Sequence, residues 1–470
     1  MTTNIKFGTD GWRAIIAKEY TVENVARVAY ATAQWLKQKH TAPSVVVGFD
    51  CRFGGILFAE TVTKVLATNN VKVLLNTHIA STPMVSLGIV KLKAQLGVVI
   101  TASHNPPLYN GFKLKGQWGG PLFDDDIRNV EALIPEKYEF DFDAINLQKL
   151  IDDKKVEIVD LETIYCNHVE HSFDMEAIRN SDLQFAFDAM YGSGQNVMRR
   201  LLPDITFLHC EINPTFNNIP PEPLLKNLQE FSEVIRLAEN IDCGLAVDGD
   251  ADRIALFDGK GNYIDSHHIL IILIHYMKKY KNKTGKVATA VSSTQKIKKL
   301  CKHYGLDLEI VPIGFKHVCK LMQTENILVG GEESGGIAVN GHIPERDGIW
   351  NGLVIWEFMV KSGLSLNDII NEIYTITGSF AFERSDLRLN EDLKNRIVEN
   401  CKQNKYTQFG PYKVNTVDTL DGFKYYFNED EWLIIRPSGT EPVLRTYAES
   451  HTKEEALAIL KACYDTIIKA

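Results

Sequence analysis

Short apolar runs that stop abruptly in Gly-, Ser- or Asp-rich loops recur along this chain, and stretches of helical spacing fill the intervals between them. The run 44–49 ends at Asp50, 96–100 delivers Thr101-Ala102-Ser103-His104-Asn105-Pro106, 243–247 enters Asp248, and 327–329 enters Gly330. Strands of this kind alternating with helices predict parallel or mixed sheets covered on both faces. The spacing predicts helices over 21–39, 57–69 and 83–93, and strands over 44–49, 71–75 and 96–100; a polar stretch, 141–155, reads as a connector. The pattern restarts near residue 183 and again near 286. Beyond 383 it changes to a helix over 387–401, short strands at 412–417, 422–427, 432–437 and 443–448, and a closing helix over 452–468. At 470 residues the chain far exceeds the roughly 250–300 at which a single core stops growing. The expected fold class is α/β, with three mixed-sheet domains at 1–150, 151–260 and 261–382 and a smaller C-terminal α+β domain at 383–470.

Charge narrows the partners. With a formal net charge of −9 the chain lacks the basic balance of a general nucleic-acid binder, so no nucleic acid is expected. The longest apolar stretch, 269–274, is far too short to cross a bilayer, and residues 1–13 carry no apolar signal core, so no membrane partner and a cytoplasmic location are expected. The 8 cysteines contain no C-x-x-C, which argues against a zinc site or redox pair and for buried thiols in a reducing compartment.

Four loops carry candidate chemistry. In the first, TASHNPPLYNGFK at 101–113, Ser103 sits at the carboxyl end of a strand, where α/β sheets bind ligands. G-x-S-x-G is absent, and a plain strand-ending turn built on Asn105-Pro106 and Asn110-Gly111 fits the loop equally well. The second, DGDADR, places Asp248, Asp250 and Asp252 at alternate positions between two apolar runs. That density of carboxylates calls for a cation, and oxygen-only ligands suit Mg²⁺. An EF-hand fails because Arg253 and Gly259 stand where its Gly and bidentate Glu belong. The third, GGEESGG, offers Glu332 and Ser334 among glycines, a combination suited to reading sugar hydroxyls and also to a flexible surface loop. The fourth, RPSGTEPVLR, gathers Arg436, Ser438, Gly439 and Thr440, with Arg445 beyond: phosphate-cradle chemistry, or a turn with an incidental arginine. A hydroxyl, a metal site, a hydroxyl-reading loop and an anion cradle together suit a phosphorylated sugar held between domains.

With FGTDGWR at 7–13 and these four motifs in order, the sequence resembles the α-D-phosphohexomutase superfamily over nearly its whole length. The resemblance implies four domains around a central cleft, with a serine at Ser103 that is carried phosphorylated. It implies that Asp248, Asp250, Asp252 and the phosphoserine ligate Mg²⁺, and that Glu332 and Ser334 hold the sugar. Arg436, Ser438 and Thr440 look like the anchor for the non-reacting phosphate. Arg13, His104, Lys113 and Arg253 fall where the family places electrostatic or acid–base groups, and His104 and Lys113 are expected to help neutralise the phosphate. The implied reaction moves a phosphoryl group between C1 and C6 of a hexose phosphate through a hexose 1,6-bisphosphate, which also serves as activator. GEESGG, VPIGFK at 311–316 and HIPERDGIW at 342–350 resemble phosphoglucomutases and dual phosphoglucomutase/phosphomannomutases. Many phosphomannomutases and phosphoglucosamine mutases end the sugar loop in histidine, where this chain has Gly336; Lys316 and His342 are candidates for the equivalent contacts, although His342 also suits a plain turn. Glucose phosphates, with mannose phosphates as second substrates, are the expected reading. A phosphoglucosamine mutase is the alternative, and a sugar-phosphate phosphatase or bisphosphate synthase is the alternative from a different class. A monomer or homodimer is expected.

Overall fold

The computed structural model describes residues 4–437 and 443–469. The chain forms two compact units, one comprising 1–269, 319–325 and 334–366, the other 270–318, 326–333 and 367–470.

The first unit contains two sheets. One has strand order Trp12–Ile15, Tyr109–Gly116, Leu96–Ile100, Ser44–Phe49, Lys72–Ile79 and Val156–Val159. Tyr109–Gly116 runs antiparallel to both neighbours, and the remaining pairs are parallel. Alternate residues of a strand point to opposite faces. Val45, Val47 and Phe49 therefore join a core with helices Val22–Lys39 and Gly55–Thr68. Gly48 and Val46 turn the other way, toward helices Thr82–Lys91 and Leu161–Ser172. The expected elements at 21–39, 44–49 and 96–100 are present, and 71–75 extends to Ile79.

Two features differ from expectation. Tyr109–Gly116 is a strand although it reads Y-N-G-F-K-L-K-G. Phe112 and Leu114 face the core, so Lys113 and Lys115 share the opposite face, where both are buried. The stretch 141–155 is also more than a connector. It contains a short helix, Leu147–Asp152, and leads into Val156–Val159, which takes the edge of the first sheet beside Lys72–Ile79, past the expected boundary at 150.

The second sheet has the order Tyr263–Ile264, Ile254–Asp258, Cys243–Val247, Phe185–Asp188 and Thr206–Leu208. Cys243–Val247 and Ile254–Asp258 form an antiparallel hairpin with Val247 opposite Ile254, so DGDADR is its turn. Helix Gly348–Ser362 packs on this hairpin through Gly352 against Leu245, and Asp347 caps the helix.

In the second unit, Lys286–Ala290 pairs in parallel with Leu308–Val311 and Ile327–Gly331. Its tail is an antiparallel sheet ordered Ala381–Arg388, Val443–Ser450, Trp432–Pro437, Phe423–Tyr426 and Thr416–Asp418. Helices Glu391–Lys402 and Lys453–Lys469 share a core with it. The helix expected over 387–401 begins only at Glu391, where Asn390 caps it by accepting from the Leu393 N–H. The residues before it form a strand paired along Val443–Ser450. All the cysteines are buried free thiols, and no helix among the described residues is long and apolar enough to cross a membrane.

Candidate active site

Ser103 lies at the exit of Leu96–Ile100, buried, with φ of 51°. A non-glycine residue holds that left-handed conformation only under constraint. Its N–H donates to Thr101 Oγ1 (2.8 Å), and Asn105 closes the turn by donating to the Ala102 carbonyl (3.0 Å). From the other side Gly249 approaches so closely that a Cβ there would lie 2.7 Å from the Ser103 carbonyl oxygen. The result aims the hydroxyl: Ser103 Oγ donates to Asp248 Oδ2 at 2.7 Å and lies 3.4 Å from His104 Nδ1. Arg13 Nη1 donates to Asn105 Oδ1 (2.8 Å) on the same loop.

Asp248, Asp250 and Asp252 are fully buried, and one oxygen from each lies within 4.8 Å of the others. Asp248 Oδ1 accepts from the N–H groups of Asp252 (2.9 Å) and Arg253 (3.1 Å), which leaves Oδ2 for Ser103. Burial, with Asp250 and Asp252 adding to it, pushes the Asp248 carboxyl well above its ordinary range. Burial would raise Asp250 too, but Lys113 and a hydrogen bond from Thr82 outweigh it and hold that carboxyl low. The buried Oδ1 atoms of Asp250 and Asp252 have no hydrogen-bond partner among the described residues. Buried carboxylate oxygens gathered this closely could hold a cation. The donor set fits a hard divalent cation such as Mg²⁺.

A lattice of buried ion pairs supports this centre. Lys113 Nζ reaches Asp10 (2.7 Å), Asp250 (2.7 Å) and Asp252 (3.1 Å). Burial alone would lower its pKa, but Asp10, Asp250 and Asp252 hold the ammonium above its usual range. Arg346 Nη2 bridges Asp10 and Asp252, 2.6 Å from each. Lys115 pairs with Glu345 at 2.6 Å. Gly336 is the floor under Arg346, since a Cβ there would lie 2.4 Å from Arg346 Cδ. Any side chain at 336, histidine included, would displace that guanidinium. Arg253 pairs with Glu222 (3.5 Å). Burial, reinforced by Arg253, Arg13, Lys113 and Arg52, holds the His104 imidazole well below its ordinary value. The cations facing His104 and Ser103 are the guanidinium groups of Arg13, Arg52 and Arg253 and the Lys113 ammonium.

His342 does not serve as an open sugar contact. Its ring is buried against Trp350, with centroids 3.8 Å apart. Nε2 pairs with Asp347 (2.9 Å) and Nδ1 with His168 (3.3 Å), so both nitrogens are committed. Of the two readings open in the sequence, the turn histidine is the one found. Ser334 precedes Gly335, whose carbonyl accepts from the Ile254 N–H just after the DGDADR turn (3.2 Å).

In the second unit, strand Ile327–Gly331 delivers Glu332, which accepts from the Gly314 N–H (2.6 Å). Lys316 lies in the first turn of helix Phe315–Thr324, just beyond that glycine. Asp421 accepts from the neighbouring Ile313 N–H (2.9 Å) and from Arg436 Nε (2.8 Å), so the loop before Lys316 is tied to both Glu332 and Arg436. Arg436 and Arg445 stand directly opposite each other on adjacent antiparallel strands. Like charges so placed repel unless an anion lies between them. The buried Arg445 Nε has no hydrogen-bond partner among the described residues. Ser438, Gly439 and Thr440 lie outside the described residues.

Sequence reasoning missed Asp10, Asp50, Arg52, Thr82, Lys115, Glu345 and Arg346. Asp10 and Arg346 were within reach, since both lie in motifs quoted for their resemblance, FGTDGWR and HIPERDGIW.

Comparison with known proteins accounts for this assembly. Models of the phosphoglucomutase/phosphomannomutase family match in sequence order: α/β/α domain I over 4–140, domain II over 163–261, domain III over 265–376 and the C-terminal domain over 393–465. The chain belongs to this family, within the α-D-phosphohexomutase superfamily, and is a phosphohexomutase, an isomerase. It is 29% identical to a phosphoglucomutase/phosphomannomutase of Thermococcus kodakarensis (97% of this chain, 96% of the relative). It is 30% identical to a protein of Methanosphaera stadtmanae named "Probable phosphoglucosamine mutase" (97% and 96%). A crystal structure from Thermus thermophilus, solved under a provisional phosphomannomutase description, superposes with a TM-score of 0.87 at 29% identity, covering 99% of this chain and 100% of that one.

Proposed function

We propose that the protein interconverts hexose 1-phosphates and hexose 6-phosphates by way of phosphorylated Ser103, with glucose phosphates as its main substrates and mannose phosphates as secondary ones. The observation that carries this reading is the Ser103 hydroxyl, 2.7 Å from a buried aspartate cluster with orphaned oxygens. Phosphoryl transfer asks for position and charge more than for covalent help from the protein. Phosphoserine 103 donates its phosphoryl group to a sugar hydroxyl: the Ser103 O–P bond breaks, the sugar O–P bond forms, and a hexose 1,6-bisphosphate results. The sugar hydroxyl gives up its proton as its oxygen attacks, and the departing seryl oxygen takes one up; His104, 3.4 Å from the seryl oxygen, accepts the seryl proton when the other phosphate goes back to serine and the sugar oxygen is reprotonated. Lys113 spends its N–H groups on carboxylates and acts as fixed charge. Mg²⁺, held by Asp248, Asp250, Asp252 and the phosphoserine, supplies charge neutralisation to the transferring group. Glu332 and Ser334, with Lys316, are the proposed sugar contacts, and Arg436 and Arg445 with 438–440 the proposed phosphate anchor. Arg13 and Arg253 stabilise the reacting phosphate.

Preference for glucose rests on the GEESGG and HIPERDGIW motifs and on Gly336, whose place beneath Arg346 leaves no room for the histidine of the other subfamilies. The phosphoglucosamine reading keeps the support of the relatives named for that activity. Values of kcat/KM for glucose, mannose and glucosamine 1-phosphates, measured side by side with Mg²⁺ and trace bisphosphate, should rank glucose first; a highest value for glucosamine 1-phosphate would reverse the assignment. Stoichiometric release of inorganic phosphate would instead favour a phosphatase.

Asp250→Asn should lower kcat by about 10²-fold and raise the Mg²⁺ concentration for half-maximal activity, because it neutralises a buried ligand. An unchanged Mg²⁺ titration would remove Asp250 from the metal site.

A further inference from the structure

Arg52 touches neither the aspartate cluster nor a candidate sugar residue, yet it organises the serine loop from behind. Its Nη2 donates to the carbonyls of Ser103 (2.5 Å) and Asn105 (2.6 Å), and its Nη1 to those of Pro106 and Tyr109 (2.9 Å each). The four terminal N–H bonds of a guanidinium are thereby all used on one loop. Nε faces Asp50 Oδ2 at 3.4 Å. Asp50 also accepts from the Arg52 N–H (2.9 Å) and from Thr101 Oγ1, the same hydroxyl that accepts from the Ser103 N–H. The face of the guanidinium lies 4.9 Å from the Phe216 ring centroid. Neither the Arg52 nor the Asp50 side chain is exposed.

Loop carbonyls ordinarily face water. Here they converge on one buried cation, and this is the arrangement in which Ser103 holds its left-handed backbone conformation and its Oγ meets Asp248. We propose that Arg52 is a positioning residue for phosphoryl transfer, fixing the Ser103 backbone so that the phosphoryl-bearing oxygen stays in line with the acceptor. This rests on the reading that Ser103 carries the phosphoryl group. The planar fork is the active feature, more than the charge. A lysine would keep the charge beside Asp50, but its donors radiate from a single atom and do not span four carbonyls.

The test is Arg52→Lys in the full-length protein, with Arg52→Gln as a second variant. Misplacing a reacting group by about 1 Å costs on the order of 10²-fold in rate. Arg52→Lys should lose about that much kcat on glucose 1-phosphate, with KM and the Mg²⁺ half-saturation point changed by less than about threefold. Labelling of the Ser103 peptide by glucose 1,6-bisphosphate, followed by mass spectrometry after rapid quenching, should slow by the same factor. Wild-type kcat in Arg52→Lys, a loss confined to KM, or a kcat deficit that disappears well below a lowered melting temperature would each overturn the proposal. No label on the Ser103 peptide of the wild-type protein would overturn the phosphoserine reading itself, and this proposal with it.

Discussion

Ser103→Ala should abolish mutase turnover, by about 10³-fold or more, and leave the melting temperature nearly unchanged. In the proposed route Ser103 is transiently esterified, so its removal should eliminate that route. Cysteine is absent from the loop, Thr101 Oγ1 is occupied by Asp50 and the Ser103 N–H, and Lys113 is saturated with carboxylates. The fold should survive because the loop is held by its backbone, through Arg52 and Gly249, and alanine can occupy the same φ with a support already in place. Mass spectrometry of the wild-type protein should find phosphate on the peptide containing Ser103. Turnover of the alanine variant at near wild-type rate would refute the covalent route.

The second large effect is on stability. Lys113→Met should cost about 3–5 kcal/mol of folding free energy, because it leaves buried carboxylates without their counter-ion. Lys72 makes an ion pair of the same 2.7 Å length with Glu157, but both of its side chains are half-exposed. Lys72→Met should therefore cost less than about 1 kcal/mol. Urea unfolding of both variants in EDTA checks the contrast. Equal, small losses would mean that the lattice around Asp10, Asp250 and Asp252 contributes no more than a surface pair.

The difference between those two lysines marks what the sequence could and could not convey. Local chemistry was legible. Apolar runs ending in TASHNP and DGDADR announced strand ends, and the alternating aspartates announced a buried carboxylate cluster that could hold a cation, because those arguments need only neighbours in the chain. Tyr109–Gly116 was missed because half its side chains are polar, and their burial is sanctioned only by carboxylates elsewhere in the chain. The Arg346–Asp10 contact spans 336 residues, so no spacing rule could find it. Ala381–Arg388 was read partly as helix because the charges in AFERSDLR mask its period of two; the strand shows itself through its register with Val443–Ser450. His342 shows the converse failure: a residue with plausible chemistry whose ring was already spent on Asp347, His168 and Trp350.

The closing strand of the first sheet bears on how this protein can be divided. A fragment cut at residue 150 would strip Val156–Val159 from Lys72–Ile79 and leave a row of backbone donors and acceptors open to any other chain. It would also lose Leu161, which packs onto the bare faces of Gly48 and Gly88. A first domain intended to stand alone must therefore run through helix Leu161–Ser172, and shorter versions should swap strands or precipitate.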